Sequence, residues 1–367
     1  MKILWLTWKD LKHPLAGGAE VVNEELAKRL ASDGHEVRFV AGGFAGASPE
    51  DQRDGYTIAR VGGRFSVYWC AYQYYKKHLS DWPDFVIDEM NTVPFFAKFY
   101  VRQKNIMFVH QLCRITWLYQ MVFPFSLIGY VIEPFYLWLL RDRTVVTVSQ
   151  SSKSDLIRHG FYEPRIHVIS VGIDLVPVRD FTAIKKFDVP TILAFGAIRA
   201  MKRTMHIVCA FEILKQSIPH ARLIIAGDTA GAYGARTLRH IARSPYKKDI
   251  QILGAVSKDK KVELMQRSHI LAVTSVKEGW GLVVTEAASQ GTLAVVYNVD
   301  GLRDSVRHNA TGIICTQNTP DDLAENMAAL LRDQALYAHL QKHGWEWSKE
   351  ITFDKSYQQF LSVLKRQ

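Results

Sequence analysis

The sequence predicts an α/β protein built as two domains, each a parallel sheet covered by helices on both faces. Three observations lead there. A chain of 367 residues exceeds the size at which one hydrophobic core usually stops growing, and 48% hydrophobic residues can fill two cores. Short apolar runs alternate with amphipathic stretches along nearly the whole length. The runs lack the polar alternation of half-exposed strands, as expected of strands buried on both faces.

The first run, KILWLTW, reads as a strand. In the following AEVVNEELAKRLASDG, Val22, Leu26 and Leu30 recur at four-residue spacing, Glu and Lys fill the other face, and Gly34 supplies the stop. HEVRFVAGG completes a β-α-β unit. The pattern continues through DFVIDE at 84–89, NIMFVH at 105–110 and TVVTVS at 144–149. After the polar, proline-marked stretch 172–190 a second series begins. It runs TILAFGAI, a helix over 202–217, ARLIIAG, IQILGAV, HILAVTS and LAVVYN. The division therefore falls near residue 180, and two such sheets are expected to take ligand in a cleft at their C-terminal edges. In the tail, Phe353, Tyr357, Phe360 and Leu364 form the apolar stripe of one helix in need of a surface.

A formal charge of +10, from 46 basic against 36 acidic residues, suits anionic partners such as phosphates or an acidic membrane surface. Arg and Lys are spread along the chain rather than gathered into a tail, which disfavours nucleic acid as a partner. Cys70, Cys113, Cys209 and Cys315 lie far apart without a C-x-x-C pair, against a zinc knuckle or a disulfide scaffold and towards a reducing cytoplasm. MKILWLTWKD has too short an apolar core for a signal peptide and reads as a strand.

The stretch ITWLYQMVFPFSLIGYVI, residues 115–132, carries no charge between Arg114 and Glu133. Pro124 and Gly129 interrupt it and Glu133 with Pro134 closes it, which predicts an irregular, partly helical segment rather than a span. It reads either as ordinary core or as an apolar surface facing an acceptor or a membrane, with Arg114, Arg141 and Arg143 placed for anionic headgroups. The expected location is cytoplasmic, or peripheral on the inner face of a membrane.

Candidate chemistry collects at strand ends. Gly17 and Gly18, before the first helix, allow a tight turn that brings helix-end N–H groups to an anion or a sugar hydroxyl, although paired glycines there are also ordinary turns. Neither a G-x-G-x-x-G nor a G-x-x-x-x-G-K-[ST] pattern occurs. In SVKEGWGLVVTEAASQG, residues 275–291, Glu278 sits in a strand-to-helix loop, Gly279 and Gly281 expose backbone donors, and Glu286 falls within the helix. Such an arrangement can hold a nucleoside diphosphate sugar, the amides on phosphate, one acid on the sugar and the other on ribose. Acids near a helix start also gain about 0.3–1 kcal/mol from its dipole, so a structural reading stands beside the functional one. Lys202, after TILAFGAI, is placed to neutralise a leaving diphosphate, or is a surface lysine. His110 ends an apolar strand, as an active-site group or a hydrogen-bonded core histidine. No D-x-D and no His/Asp cluster with metal-ligand spacing is present.

The stretch EGWGLVVTEAASQG resembles the E-x7-E signature of the retaining glycosyltransferases of family 4. The resemblance extends over nearly the whole chain through AGGAE, FVH, TVSQSSKSDL, HVISVGIDL, ILAFGAIRAMKR and AGDT. It implies the GT-B fold, two Rossmann-like α/β/α domains facing across a deep cleft. Residues 1–180 would form the acceptor side, 181–345 the nucleotide-sugar domain, and 346–367 a helix crossing back to the first domain. The implied catalytic residues are His110, Glu278 and Lys202. The implied donor-binding set is Gly17, Gly18, Arg199, Lys202, Glu278, Gly279, Gly281, Leu282 and Glu286, with Glu278 on the sugar and Glu286 on ribose.

Three departures from the family pattern bear on the donor. Ala197 stands where an Arg usually follows the glycine, leaving Arg199 to compensate. Trp280 replaces the commoner Phe. NVDGLRDSV stands where two glycines and Pro-Glu are usual, so Asp300 and Gly301 are expected to alter loop closure. The implied activity is retaining transfer from a UDP- or GDP-sugar to a hydroxyl of a carbohydrate or lipid-linked acceptor, in cell-surface polysaccharide, glycolipid or related glycan synthesis. The nucleotide sugar is co-substrate, and no cofactor or metal is required. The alternative from another class is a non-catalytic sugar-nucleotide or membrane-surface binding module.

Overall fold

The computed structural model describes residues 1–367 and resolves them into two compact units. Unit 1 comprises Met1–Leu118, Val122–Gly172 and Thr352–Gln367; unit 2 comprises Tyr119–Met121 and Ile173–Ile351. The chain thus leaves unit 1 earlier than the expected residue 180. The reason is that the linker is bonded to unit 2 from just after Gly172: Leu175 packs with Val284 and Ala287, Gln290 Nε2 donates to Val176 O at 2.9 Å, Val178 N to Ser289 O at 3.0 Å and Trp345 Nε1 to Val178 O at 2.8 Å.

Unit 1 holds β1 (Lys2–Leu6), β2 (Glu36–Ala41), β3 (Glu50–Arg53), β4 (Tyr56–Arg60), β5 (Phe85–Met90), β6 (Lys104–Val109), β7 (Val145–Thr147) and β8 (Ile166–Val168). They form one sheet in the order β3-β4-β2-β1-β5-β6-β7-β8, parallel except for the β3–β4 pair. That edge hairpin was not foreseen, although RDGY carries its signal. Asp54 (φ 44°) and Gly55 (φ 85°) supply the two positive-φ residues that a tight hairpin turn demands.

The helices of this unit are α1 (Gly18–Ser32), α2 (Val67–Tyr74), the first half of α3 (Trp117–Gln120), α4 (Phe125–Leu140) and α5 (Gln150–Arg158), with the C-terminal α13 (Phe353–Arg366). Alternate residues of β1 face opposite sides. Leu4 and Leu6 pack with Val67, Ala71 and Tyr75 of the α2 side. Trp5 faces the other way, stacked on Phe39 with ring centroids 5.3 Å apart and against Phe360 of α13 at 5.7 Å. Phe360 is fully buried. Tyr357 donates to Asp33 at 2.6 Å and Arg29 pairs with Asp354 at 2.8 Å, so the apolar stripe of the last helix completes the core of unit 1.

The segment 114–140 corrects the sequence reading. The helix α4 continues through Pro134 to Leu140 instead of closing there. Proline removes the N–H that would bond the carbonyl of Tyr130. The guanidinium of Arg114 takes that place, donating to Tyr130 O at 3.1 Å. Glu133 is buried and accepts from the N–H groups of Cys113 (2.8 Å) and Arg114 (2.5 Å) and from Trp117 Nε1 (3.0 Å). Gly129 does not interrupt the helix either; a Cβ there would lie 2.4 Å from the Trp117 ring. No helix is long and apolar enough to cross a membrane.

Unit 2 holds β9 (Thr191–Phe195), β10 (Arg222–Ala226), β11 (Ile250–Gly254), β12 (Ile270–Val273), β13 (Leu293–Val296) and β14 (Gly312–Ile314), an all-parallel sheet in the order β11-β10-β9-β12-β13-β14. Its helices are α6 (Thr204–Ser217), α7 (Ala232–Arg243), α8 (Lys258–Arg267), α9 (Leu282–Ser289), α10 (Leu302–Ser305), α11 (Pro320–Arg332) and α12 (Gln334–Ser348). Ile192 and Ile270 pack on one face with Phe211, Leu323 and Met327. Leu193 and Leu271 pack on the other with Leu264, Val284 and Ala287. Both faces are buried, which is why these strands read as continuous apolar runs.

The Gly129→Ala variant should lose about 1–3 kcal/mol of stability, because the added methyl forces Trp117 off Glu133. Urea unfolding measures it, and a loss below about 0.5 kcal/mol would contradict the packing described.

Candidate active site

In unit 2 the site begins where β9 and β12, neighbours in the sheet, end. After β9 the chain turns through Gly196 (φ 124°) and makes one 3-10 turn over Ala200–Lys202, and Arg203 follows at φ 49°. The turn is clamped to the loop after β12. Thr274 Oγ1 lies 2.9 Å from the carbonyl of Lys202 and 3.0 Å from that of Arg203, and Val276 N donates to Met201 O at 2.7 Å. The clamp sets Lys202 Nζ 2.5 Å from Glu278 Oε1, and Ser275 Oγ donates to the same oxygen at 2.6 Å.

The loop itself is held from the far side by Asp300 and Gly301. Glu278 N donates to Asp300 O at 3.0 Å, while the Asp300 carboxylate pairs with Arg303 and lies 3.7 Å from Lys277 Nζ. Gly301 sits at φ 79°, and a Cβ on it would lie 2.3 Å from Glu278 O. The unusual NVDGL stretch therefore keeps a glycine at the one place where the two backbones meet. Gly281 is at φ 94°, and a Cβ there would meet Leu302 at 2.8 Å, so Gly281 too is required by the backbone.

Gly281 caps α9, whose first residue is Leu282. Gly279 lies in the same half-buried loop. One turn further along α9, Glu286 is buried and pairs with Lys261 Nζ of α8 at 2.6 Å. Lys261 also lies over the ring of Phe195 at the end of β9, 5.5 Å from its centroid. Sequence reasoning missed Lys261; its only signal was its place at the start of an amphipathic helix that follows a strand end. Arg199 is exposed and contributes its carbonyl to Lys202 N at 2.9 Å. Trp280 packs near Trp347, with ring centroids 6.4 Å apart.

The remaining residues lie in unit 1. His110 follows β6 and is buried, its Nε2 3.0 Å from Asn23 Oδ1 and 3.6 Å from Glu89 Oε1. Burial, and then the charge of Lys9, push its pKa down to about 3, so the ring is neutral. Gly17 has an extended φ of −150° and room for a Cβ, so local geometry does not demand glycine there. Its N–H is not free for an anion, because Glu20 accepts from it at 2.6 Å. Glu20 is buried, lies 3.2 Å from Lys9 Nζ and accepts from Asn91 Nδ2 at 3.0 Å. Gly18 opens α1 and is exposed.

Glu89 was also missed, inside a run read as a plain strand. Neither of its carboxylate oxygens has a hydrogen-bond partner among protein atoms, nor does Asn23 Nδ2. Burial, then the nearby Glu20, push the Glu89 pKa up to about 8, and the charge of Lys9 draws it part of the way back. Lys9, Glu20, Asn23, Glu89 and His110 thus form one buried polar cluster with hydrogen-bonding capacity to spare.

The shift of Glu89 has a sign in stability. Between its ordinary 4.5 and about 8 the folded chain keeps a proton that the unfolded chain has released, so this group's contribution falls as pH rises through that window. Glu89→Gln should therefore gain in Tm over the parent chain between roughly pH 5 and pH 8.5. Thermal unfolding at both pH values checks it, and a gap that does not widen would mean that Glu89 is ionised in the fold.

Comparison with known proteins gives the family. Residues 180–347 match the family model of glycosyl transferases group 1, and residues 16–176 match that of glycosyltransferase family 4. The chain is 28% identical over 235 residues to a D-inositol 3-phosphate glycosyltransferase of Xylanimonas cellulosilytica, covering 60% of this chain and 56% of the relative. It is 23% identical over 363 residues to the N-acetyl-alpha-D-glucosaminyl L-malate synthase of Bacillus anthracis, covering 91% and 90%. The chain thus spans little more than half the length of the inositol phosphate glycosyltransferases it matches. Among solved structures, Alr3699/HepE of Anabaena in complex with UDP-glucose superposes with a TM-score of 0.77 at 17% identity, over 100% of both chains. With both halves matched and the fold shared, the chain belongs to the family 4 glycosyltransferases of the GT-B fold.

Proposed function

We propose that the chain transfers a sugar from a nucleoside diphosphate donor to an acceptor hydroxyl with retention of anomeric configuration, in the synthesis of a cell-surface polysaccharide, glycolipid or related glycan. The observation that carries the reading is the Lys202–Glu278 pair, clamped at the start of α9 with Glu286 one turn inside the same helix. Alone, the two charges neutralise one another. An incoming diphosphate competes for Lys202 and frees Glu278 to accept hydrogen bonds from the sugar. As the bond from C1 to the diphosphate oxygen breaks, charge grows on the leaving group, and Lys202 with the N–H groups of Gly279, Gly281 and Leu282 stabilises it. Arg199, exposed beside the turn, adds charge in place of Ala197.

Glu286 is proposed to accept from the ribose hydroxyls, with Lys261 holding its carboxylate in place. The neutral His110 is assigned to the transferred sugar, where it donates or accepts without adding charge, and Gly17 and Gly18 to the loop that closes against donor or acceptor. The scheme needs no metal, because Lys202 and helix-end amides supply the positive potential. The UDP-glucose held by the HepE structure supports a UDP-sugar, with a GDP-sugar the other candidate. The acceptor is a carbohydrate or a lipid-linked glycan.

The two acids carry different expected losses. Glu278→Gln should keep nucleotide affinity and lower turnover by about 10²–10³-fold, because its contact tightens in the transition state. Glu286→Gln should raise the donor Kd by roughly tenfold or more with little change at saturation, because a ribose contact exists in ground and transition states alike. Lys202→Ala should harm both, and the Lys202–Glu278 double variant should lose less than the sum of the singles, because the two side chains are in contact. Initial rates of nucleoside diphosphate release and calorimetric binding read these out. Unchanged turnover in the Glu278 variant would remove its catalytic role, and stability losses with normal kinetics would return both acids to a purely structural part.

A further inference from the structure

One surface of unit 1 is not used by the reaction proposed above. The outward face of α4 exposes Ile128, Val131, Phe135 and Trp138 at three- and four-residue spacing, and Phe123 just before the helix is 79% exposed. Val131 and Phe135 are 64% and 61% exposed, values that no core helix shows. The charge in this helix, Glu133, points inward and is spent on Cys113, Arg114 and Trp117.

The patch does not end with α4. Lys98 Nζ donates to Leu139 O at 2.8 Å, and its neighbour Phe99 is exposed. The next residue, Tyr100, meets Tyr72 of α2 at 5.0 Å between centroids, and Tyr72 meets the exposed Trp69 at 5.3 Å. Exposed aromatic residues thus continue beyond the end of α4 at Phe99 and at Trp69 of α2, and the exposed side chains of α4 alone exceed the scattered apolar residues normal on a monomer.

The rim of this face is basic. Arg141 lies 5.3 Å over the ring of Trp138 and Arg114 lies 4.7 Å over that of Tyr130, while Lys76, Lys77 and Arg102 are exposed around α2 and Tyr100. The neighbouring acid, Asp142, is paired with Lys98 at 2.7 Å. Aromatic side chains beside Arg and Lys, around an apolar centre, match the boundary between headgroups and acyl chains. A second copy of the same face would set basic rims against each other.

We propose that this face docks the chain on an anionic phospholipid bilayer, with α4 lying in the plane of the membrane and its outward side chains inserted among the first acyl carbons. The docking is independent of sugar transfer and requires neither donor nor acceptor. Basic rim residues draw the chain to the surface, and the apolar centre holds it there.

Flotation of the purified full-length chain with phosphatidylcholine vesicles, with and without phosphatidylglycerol, tests the proposal. The expected result is strong co-flotation with phosphatidylglycerol vesicles at low salt and a several-fold smaller bound fraction near 0.5 M salt, where screening is nearly complete within a few Å. A Val131→Asp, Phe135→Asp double variant should lose at least about tenfold in partitioning while keeping its far-ultraviolet circular dichroism and Tm, because both side chains are solvent-exposed. Arg141→Glu should lose binding to phosphatidylglycerol vesicles at low salt. The proposal is overturned if the parent chain stays with the unbound fraction on phosphatidylglycerol vesicles, or if the double variant floats as well as the parent. It is overturned equally if light scattering shows a parent dimer that the double variant dissolves, which would make a second copy the occupant.

Discussion

The candidate site of unit 2 depends on one ion pair, Lys202 with Glu278, and on the backbone that forces it. The two residues lie in loops after neighbouring strands, and nothing in their local sequences brings them together. Thr274 and Val276 do so by bonding the carbonyls of the 3-10 turn. Asp300 and Gly301 press on the same loop from the other side, at a distance only glycine tolerates. A charged pair partly open to water adds little to stability. Its worth here is positional, since it keeps a carboxylate and an ammonium in register at the start of α9, where unpaired N–H groups already favour an anion.

A second pair, Lys261 with Glu286, repeats the logic one turn deeper in α9. Each acid thus has its own cation. Unit 1 offers a different environment. Around His110 the side chains are buried, the ring is neutral, and Glu89 is held protonated by the cost of burying its charge. One unit thus gathers partly open ion pairs at a helix start, and the other a buried cluster in which the neutral His110 and a protonated Glu89 lie beside the Lys9–Glu20 pair.

Much of this was legible in the sequence because the relevant signals are local. Strands buried on both faces read as apolar runs, and the stripe of Phe353, Tyr357, Phe360 and Leu364 announced a helix with a surface to cover. The loop from Ser275 to Gly291 showed its strand, glycines and acids in order. What was not legible depends on distant partners. Pro134 looked like a helix end because Arg114, which takes over the orphaned Tyr130 carbonyl, lies outside the helix. Gly129 looked like a break because Trp117 was not known to fill its place. Lys261 is one lysine in a basic helix until α8 and α9 are packed together. Glu89 was absorbed into a strand because a buried acid and its environment cannot be read from period alone. The β3–β4 hairpin has its signal in Asp54-Gly55, but its strands are too short to show a period.

The central claim is that the loop and helix from Ser275 to Gly291 hold a nucleoside diphosphate. Thermal unfolding of the parent chain and of Glu286→Gln, across a panel of nucleotides, tests it most directly. A ligand at a hundred times its Kd stabilises the native state by about 2.7 kcal/mol, enough to raise Tm by several degrees. The account predicts such a rise with UDP or GDP in the parent chain, and at the same concentration a rise of about half that size or less in the variant, whose Kd is about tenfold higher or more. No rise with any nucleoside diphosphate, or an equal rise in both proteins, would contradict it.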